Sequence, residues 1–220
     1  MATRALNSYK AFVFDLDGTL LDTTKDIGLA LGKALDHNFT DEQVMAFVGR
    51  GLRNAVKAAV EFLGREDADI DALTESLIGF YRETPVYYTK PYPGATELLT
   101  KLSESKIPFC VYSNKEQDLT ETILGICFKG ISFSLIAGMH GPYESKPSSQ
   151  AIDAFISKTG VKKSSILYIG DTEVDYKTAL NAGLDCLIIT SGMRTEADLL
   201  SGGVSSSVLV KSLHSITYKV

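Results

Sequence analysis

The sequence predicts an α/β fold: a doubly wound parallel sheet with a small α-helical cap inserted after its first strand. Short apolar runs alternate with helical segments along most of the 220 residues, which is typical of buried parallel strands joined by right-handed crossovers. Between residues 23 and 89 this alternation stops and only helical patterning remains. An elongated crossover packed on the sheet is the alternative, but a connection of this length favours a cap.

Six apolar runs are interpreted as the strands of the sheet. They cover residues 11–14, 107–112, 133–137, 166–169, 186–190 and 208–210. Helices are predicted between them, at residues 94–105, 116–126, 148–159 and 173–181. Pro147 suits the start of the third helix, and Gly183 suits the end of the fourth.

The interrupting segment is predicted to hold four helices, at residues 23–37, from Thr40 onward, at 52–63 and at 68–81. Ile27, Leu31 and Leu35 recur every four residues and define the apolar face of the first helix. Thr40 and Gln43 fit a capping box that opens the second. We therefore predict a core domain of residues 1–21 and 90–220, with a cap domain of residues 22–89.

Composition narrows the classes of function. The net charge is −5 and no dense run of Lys or Arg is present, so a nucleic-acid partner is not expected. Cys110, Cys127 and Cys186 fit neither a disulfide framework nor a zinc site. No apolar stretch is long enough to span a bilayer, and the first ten residues lack the apolar region of a signal peptide. We expect a cytoplasmic protein with no membrane partner.

Four carboxylates follow the ends of two predicted strands. Asp15 and Asp17 come after the first run, and Asp171 and Asp175 come after the fourth. Open α/β sheets bind ligands at these strand ends, so the four side chains are expected to share one site. Carboxylates this close repel one another unless a cation lies between them, and Mg²⁺ prefers oxygen ligands. Helix-capping acids are the alternative, which explains Asp175 alone better than the pair after Gly170.

Two further segments carry groups suited to a phosphate. Ser113 and Asn114 end the second run, where a hydroxyl and free backbone N–H groups at a helix N-terminus suit an anion. Lys146 precedes Pro147, which fixes the entry to the next helix, so its ammonium is predicted to hold a defined position near the cleft, where it could neutralise a phosphoryl group and a group that attacks it. An ordinary N-cap serine and a solvated surface lysine are the alternatives.

Taken in order, these segments resemble the four motifs of the haloacid dehalogenase-like (HAD) hydrolase superfamily. The matching segments are Asp15-Leu16-Asp17-Gly18-Thr19, Ser113-Asn114-Lys115, Lys146-Pro147 and Gly170-Asp171-Thr172-Glu173-Val174-Asp175. The resemblance runs from about residue 10 to residue 194, and it implies a HAD-like Rossmannoid core with the family's small helical cap. The chain looks most similar to the phosphoglycolate phosphatase-like branch, although that match is looser.

The resemblance implies an enzyme in which Asp15 is the nucleophile and Asp17 is the general acid and base. A Mg²⁺ cofactor would be held by the Asp15 carboxylate, the Asp17 main-chain carbonyl and Asp171. Asp175 would ligate the metal directly or hold waters and neighbouring groups. The implied substrate-binding residues are Thr19, Ser113, Asn114 and Lys146 in the core and Gly49, Arg50 and Gly51 in the cap.

The cap is expected to select the substrate, a small-molecule phosphate ester. Arg50 lies between Gly49 and Gly51 in a segment that resembles the family's specificity loop. Its guanidinium could hold a substrate carboxylate in a bidentate fork, which would favour phosphoglycolate over sugar phosphates. A surface arginine in a flexible turn is the alternative.

Other functions stay open. A β-phosphoglucomutase-like phosphomutase more often carries Val at the position of Thr19, which favours the hydrolase, and a pyrophosphatase remains an alternative. A haloacid dehalogenase would lack Asp17 as an acid and the metal carboxylates. The alternative from another class is a binding or regulatory protein on an inactive hydrolase core, although every expected motif residue is present. A monomer or a homodimer is expected.

Overall fold

The computed structural model describes residues 6–216 of the chain. The strands in this range are β1 (Ala11–Phe14), β2 (Leu21–Asp22), β3 (Lys90–Pro91), β4 (Phe109–Glu116), β5 (Leu135–Met139), β6 (Ile166–Gly170), β7 (Asp185–Ile189) and β8 (Leu209–Val210). The α-helices are α1 (Thr24–Leu35), α2 (Asp41–Phe47), α3 (Leu52–Phe62), α4 (Ile70–Glu83), α5 (Ala95–Glu104), α6 (Gln117–Cys127), α7 (Gln150–Thr159), α8 (Glu173–Ala182) and α9 (Glu196–Ser201). None of these described helices combines the length and the apolar character needed to traverse a bilayer.

Six strands form one parallel sheet in the order β5-β4-β1-β6-β7-β8. Successive side chains of the central strand β1 enter opposite faces: Phe12 and Phe14 join one apolar cluster, and Ala11 and Val13 join another. Side chains of α5 and α6 cover the first face, and those of α7 and α8 cover the second. The predicted doubly wound α/β sheet is therefore confirmed.

Strand β4 is longer than the sequence predicted. It pairs with β5 through Tyr112 and again at Glu116, and the register shifts between these two positions. The residues between them lack regular partners in β5, so the strand bulges there instead of turning into a helix. The prediction that Ser113 lies at a helix N-terminus is wrong, because α6 begins only at Gln117.

The inserted segment forms the four predicted helices. α1 packs against α2 and α4, and α3 also packs against both. Thr40 Oγ1 accepts a hydrogen bond from the Gln43 N–H at 3.3 Å, and Gln43 Oε1 accepts one from the Thr40 N–H at 2.9 Å. These reciprocal bonds confirm the capping box that opens α2.

The two ends of the inserted segment lie side by side. β2 and β3 form an antiparallel pair in which Leu21 faces Pro91 and Asp22 faces Lys90. The buried Asp26 of α1 accepts hydrogen bonds from the backbone N–H groups of residues 87–89 at 2.8–3.1 Å. These contacts return the chain to the sheet beside the point where it left.

The helices of the inserted segment share an apolar cluster with one face of the sheet. The boundaries that the sequence suggested, a core of residues 1–21 and 90–220 and a cap of residues 22–89, fall beside β2 and β3. This division stays a prediction, and residues 1–5 and 217–220 of the predicted core lie outside the described part of the chain.

Candidate active site

Three neighbouring strands bring the polar residues of the site to one edge of the sheet. β1 ends just before Asp15, and β6 ends just before Asp171. β4, on the other side of β1, carries Ser113 and Lys115 in its bulged residues. All four side chains are buried. Because adjacent parallel strands end at the same edge, the structure brings these segments together as the sequence predicted.

Asp15 lies at the centre of this group and contacts Lys146. Lys146 Nζ donates a hydrogen bond to Asp15 Oδ1 at 2.5 Å, and both side chains are almost wholly buried. Burial raises the pKa of Asp15 to about 7; the Lys146 charge opposes the rise, and the neighbouring Asp175 adds to it. A further cation beside Asp15 would therefore stabilise its charged form.

Lys146 bridges two carboxylates. Its ammonium also donates to Asp175 Oδ1 at 2.8 Å. Burial lowers the pKa of Lys146, but Asp15 and Asp175 together raise it above the ordinary value, so the ammonium stays charged. The Asn114 side chain holds the Lys146 backbone from both sides, because Oδ1 accepts from its N–H at 2.9 Å and Nδ2 donates to its C=O at 3.4 Å.

Asp175 is fully engaged by protein groups. Oδ1 also accepts from the Tyr168 hydroxyl at 2.8 Å, while Oδ2 accepts from Thr172 Oγ1 at 2.6 Å and from the Thr172 N–H at 3.0 Å. Burial raises the pKa of Asp175, but Lys146 and these hydrogen bonds hold it below the ordinary value. Asp175 therefore closes the capping box of α8 and fixes Lys146 at the same time.

Asp171 is the other buried carboxylate at a strand end. Its Oδ1 accepts from Thr19 Oγ1 at 3.0 Å, and its Oδ2 accepts from the Met193 N–H at 2.7 Å. Burial, Asp15 and Asp175 raise its pKa well above the ordinary value. A Cβ on Gly18 would lie 2.2 Å from Asp171 Oδ2, and one on Gly192 would lie 2.5 Å from it. Thr19, predicted to bind substrate, is wholly buried, and its hydroxyl donates to Asp171.

The donor set fits a hard divalent cation. Asp15, Asp171 and Asp175 each offer a carboxylate oxygen, and the three oxygens lie within 4.8 Å of one another. Burial raises the pKa of Asp15 and of Asp171 and so disfavours their charged forms, which an oxygen-preferring cation would favour. Each Asp171 oxygen accepts one hydrogen bond and keeps a lone pair, whereas Asp175 is committed to Lys146 and Thr172. Asp15 and Asp171 are thus the better ligands.

Asp17 is held by two groups, and one of them has a further partner that the sequence did not reveal. Thr23 Oγ1 donates to Asp17 Oδ1 at 2.6 Å, and Lys115 Nζ donates to the same oxygen. The ammonium of Lys115 also donates to the Tyr81 hydroxyl at 3.0 Å and lies 4.8 Å from the centre of that ring. Lys115 belongs to the Ser-Asn-Lys segment, but nothing in the sequence indicated that Tyr81 of α4 would reach it.

The loop between α2 and α3, residues 48–51 (the cap loop), lies directly over this site. A Cβ on Gly49 would lie 3.2 Å from Thr172 Cγ2, and one on Gly51 would lie 2.9 Å from Met139 Sδ. Beneath the loop is a cavity of about 20 Å³, the inner chamber, whose lining includes Asp15, Ser113 and Lys146. A single water needs roughly 10–15 Å³ of such a cavity. A phosphate ester is much larger than one water, so it enters only if the cap loop moves.

Arg50 lies outside the inner chamber. It lines an open cavity of about 750 Å³, the outer groove, between α2, α3 and residues 193–202. Its Nε and Nη2 donate to Glu173 Oε1 at 2.9 and 2.6 Å. Gly49 and Gly51, which stay predicted substrate-binding residues, line the inner chamber, whereas the Arg50 guanidinium holds a carboxylate of the protein.

Arg194 links the core to the cap loop. Its Nη1 donates to the Met45 carbonyl at 2.5 Å, and its Nη2 donates to the Val48 carbonyl at 2.6 Å. Its Nε lies 3.9 Å from Glu173 Oε2. Burial raises the pKa of Glu173, but the Arg50 hydrogen bond and the Arg194 charge bring it below the ordinary value. Glu173 thus lies between two guanidinium groups.

Comparisons with known proteins agree with this geometry. The family model described as haloacid dehalogenase-like hydrolase matches residues 12–189. A phosphoglycolate phosphatase from Aquifex aeolicus is 33% identical over 178 residues, which cover 79% of this chain and 81% of that protein. A phosphoglycolate phosphatase from Rhodobacter capsulatus is 31% identical over 195 residues, which cover 84% of this chain and 85% of that protein.

Solved structures share the fold. A crystal structure from Lactobacillus delbrueckii subsp. bulgaricus, of a protein provisionally named a phosphoglycolate phosphatase, has a TM-score of 0.83 and 26% sequence identity. The match covers 93% of this chain and 95% of that chain. The structure of CbbY from Rhodobacter sphaeroides in complex with phosphate has a TM-score of 0.71 at 20% identity, covering 94% of this chain and 95% of that chain. At that identity the likeness concerns the fold alone.

Proposed function

Because the chain belongs to the haloacid dehalogenase-like hydrolase family, we propose that it is a Mg²⁺-dependent phosphatase that forms an aspartyl-phosphate on Asp15. The resemblance that its motifs suggested is thereby confirmed at the level of the family, and the chain is a phosphatase enzyme. The observation that carries the mechanism is the buried contact of Asp15 with Lys146 at the tip of the central strand. It places a nucleophilic carboxylate next to a fixed ammonium.

In the first step, an Asp15 oxygen attacks the phosphorus and the bond to the ester oxygen breaks. Asp17 donates a proton to the departing alcohol. Lys146, fixed by Asp175 and Asn114, stabilises the negative charge of the transferring group without having to reorganise. Ser113 lines the inner chamber and is expected to donate to a phosphoryl oxygen.

In the second step, Asp17 takes a proton from a water that attacks the aspartyl-phosphate, which releases phosphate and restores Asp15. Splitting one difficult displacement into two easier ones is the gain of covalent catalysis. Because Thr23 and Lys115 both hold Asp17 Oδ1, the carboxylate keeps one orientation for both proton transfers. Thr19 supports the reaction indirectly through its bond to Asp171.

Mg²⁺ would neutralise the excess negative charge of the carboxylates and polarise the phosphoryl group. We expect the Asp15 and Asp171 carboxylates and the Asp17 main-chain carbonyl to hold it. Asp175 is expected to support this set through Lys146 and Thr172, since its oxygens are already engaged by them. The buried carboxylates support a divalent metal, and the choice of magnesium is part of the proposal.

We propose phosphoglycolate as the leading candidate for the substrate. The relatives that cover about four fifths of the chain carry that activity in their names. Arg50 in the cap loop offers a guanidinium beside the site, which suits the carboxylate of such an ester. The Arg50 guanidinium is paired with the Glu173 carboxylate, and phosphoglycolate carries a carboxylate of the same kind.

A panel of phosphate esters with and without Mg²⁺ tests the proposal. Wild-type protein is expected to hydrolyse 2-phosphoglycolate faster than sugar phosphates or pyrophosphate, and chelation of the metal is expected to abolish turnover. The Asp15→Asn variant should fold and bind Mg²⁺ but release no phosphate. Wild-type-like turnover by that variant would remove the covalent mechanism, and silence of the wild type on the whole panel would favour a binding protein.

A further inference from the structure

Glu173 holds the guanidinium that the proposed function assigns to the substrate. We propose that Glu173 is a specificity-determining residue: its carboxylate occupies Arg50 while the site is empty and exchanges with the carboxylate of an incoming ester. This proposal rests on the proposed function, because it takes Arg50 as the group that recognises the substrate carboxylate. It adds that Glu173 competes with the substrate carboxylate for Arg50.

The pairing occupies donor groups that a substrate carboxylate would use. Nε and Nη2 of Arg50 both donate to Glu173 Oε1, so one of the two edges of the guanidinium that suit a carboxylate is occupied. The Arg50 side chain is 64% exposed on the outer groove, whereas that of Glu173 is 10% exposed. An anion in the groove therefore has access to Arg50, whereas Glu173 is largely covered.

The exchange does not leave Glu173 unpaired. A mostly buried carboxylate that lost its partner would be strongly destabilised. Arg194, however, lies 3.9 Å away on the other oxygen, and its Nη groups are fixed by the carbonyls of Met45 and Val48. When Arg50 departs, Glu173 keeps a guanidinium neighbour, which makes the exchange far less costly than breaking an isolated buried pair.

The position of the pair connects the two cavities. Glu173 directly follows Thr172, which lines the inner chamber and touches Gly49 of the cap loop. Arg50 and Glu173 line the outer groove on the other side. The ion pair thus lies on the groove side of residues that line the chamber, and Arg50 belongs to the loop that covers Asp15.

The expected size of the competition follows from the exposure of the pair. Partly exposed ion pairs are only weakly favoured, so the paired state outweighs the unpaired state by roughly one- to fourfold. Removing the competitor therefore increases the apparent affinity for a carboxylate-bearing ester by about two- to fivefold. An ester with a neutral tail does not bind Arg50, so its apparent affinity is not increased.

The test compares 2-phosphoglycolate with 2-hydroxyethyl phosphate, in which a hydroxymethyl group replaces the carboxylate. The readout is the ratio of their kcat/KM values at saturating Mg²⁺. In Glu173→Gln the ratio is expected to rise about two- to fivefold, mainly through a lower KM for 2-phosphoglycolate. In Arg50→Ala it is expected to fall about tenfold or more, because a charged hydrogen-bond donor is lost. In the double variant the ratio should equal that of Arg50→Ala.

Asp71→Asn is the matched control, because Asp71 pairs with Arg53 at 2.7 Å on the cap but away from the groove. Its ratio should equal that of the wild type, and thermal melting should show all variants folded. A ratio in Glu173→Gln that is unchanged or lower overturns the proposal, as does a gain that persists in the double variant. If the wild type hydrolyses neither ester, the proposed function fails; if it hydrolyses both without preference, only the recognition of the carboxylate fails.

Discussion

Lys115 Nζ and Asp17 Oδ1 form an ion pair between strand β4 and the loop that follows β1. The ammonium is 1% exposed and has the Tyr81 hydroxyl of the cap as its other partner. Burial lowers the pKa of Lys115, but Asp17 and Tyr81 raise it above the ordinary value, so the charge is retained. The proposed acid and base is therefore oriented by a core lysine whose own position depends on a cap helix.

We predict that Lys115→Met lowers kcat by about tenfold to a hundredfold, with a smaller change in KM. The reason is that a general acid and base contributes roughly 10²–10⁴-fold, and a misplaced Asp17 forfeits part of this. Tyr81→Phe should lower kcat less, because the ring and its cation–π contact remain. Steady-state kinetics measure both effects. Lys101→Met, at an exposed lysine of α5, is the control, and an equal loss there would contradict the prediction.

We predict that Asp175→Ala lowers the free energy of unfolding by about 3–5 kcal/mol, because it strips a buried ammonium of one partner and removes the α8 capping box. Chemical denaturation followed by circular dichroism measures the loss. Asp153→Ala is the control, since Asp153 pairs with Lys163 at 3.2 Å on the surface and should cost less than about 1 kcal/mol. Similar losses in both variants would show that the buried network contributes no more than a surface pair.

We predict that the metal-free protein becomes less stable as the pH rises from about 5 to 8. The pKa of Asp15 is raised to about 7 in the folded state, and that of Asp171 is raised as well, so the folded chain binds more protons than the unfolded chain in this range. Stability from such groups is present below the unfolded pKa and is lost as the pH rises through the folded pKa. Asp175, whose pKa is lowered, affects stability only at more acidic pH.

Mg²⁺ should reverse this loss, because it favours the charged carboxylates. The increase in Tm caused by Mg²⁺ is thus expected to be larger at pH 8 than at pH 5.5. Differential scanning calorimetry with Mg²⁺ or with a chelator measures it at both values. In Asp15→Asn the pH dependence of the metal-free protein should weaken. An increase in Tm that is equal at both pH values, or larger at pH 5.5, would contradict the prediction.

We predict that Gly18→Ala abolishes most Mg²⁺-dependent turnover and destabilises the fold more than Gly203→Ala does. Both glycines have positive φ, +88° and +84°, so the backbone strain of about 1–2 kcal/mol is common to the two variants. At Gly18, however, the new Cβ would lie 2.2 Å from Asp171 Oδ2, whereas at Gly203 no neighbouring atom among residues 6–216 lies within 4 Å. Equal changes in Tm and equal activities in the two variants would show that the Asp171 side chain can move aside at little cost.

The positions at strand ends could be predicted because parallel strands end at one edge of the sheet. Asp15 and Asp171 follow apolar runs directly, so a correct strand assignment sufficed to bring them together. Lys146 was harder, since it lies in a loop: Pro147 suggested a defined position near the cleft, but residue type alone favoured a surface lysine, and the contact with Asp15 depends on the fold. The fold class followed from the same alternation of strands and helices.

Other features could not be predicted because they depend on how distant elements dock. The bulge in β4 is set by pairing with β5 at Glu116 and Met139, which an apolar run does not reveal. The contact of Lys115 with Tyr81 and the position of Glu173 between two arginines arise from the docking of the cap helices on the core. A side chain in a helix or loop carries no local signal of its partner in another element.

The size of the inner chamber bears on which acceptor takes the phosphoryl group. With the cap loop in place, about 20 Å³ remains beneath it, room for roughly one water and for no alcohol. In the proposed mechanism any acceptor larger than water therefore depends on the same movement of the cap loop that admits the ester. Whether the phosphoryl group passes to water or to an alcohol is then decided by how far residues 48–51 open while Asp15 carries it.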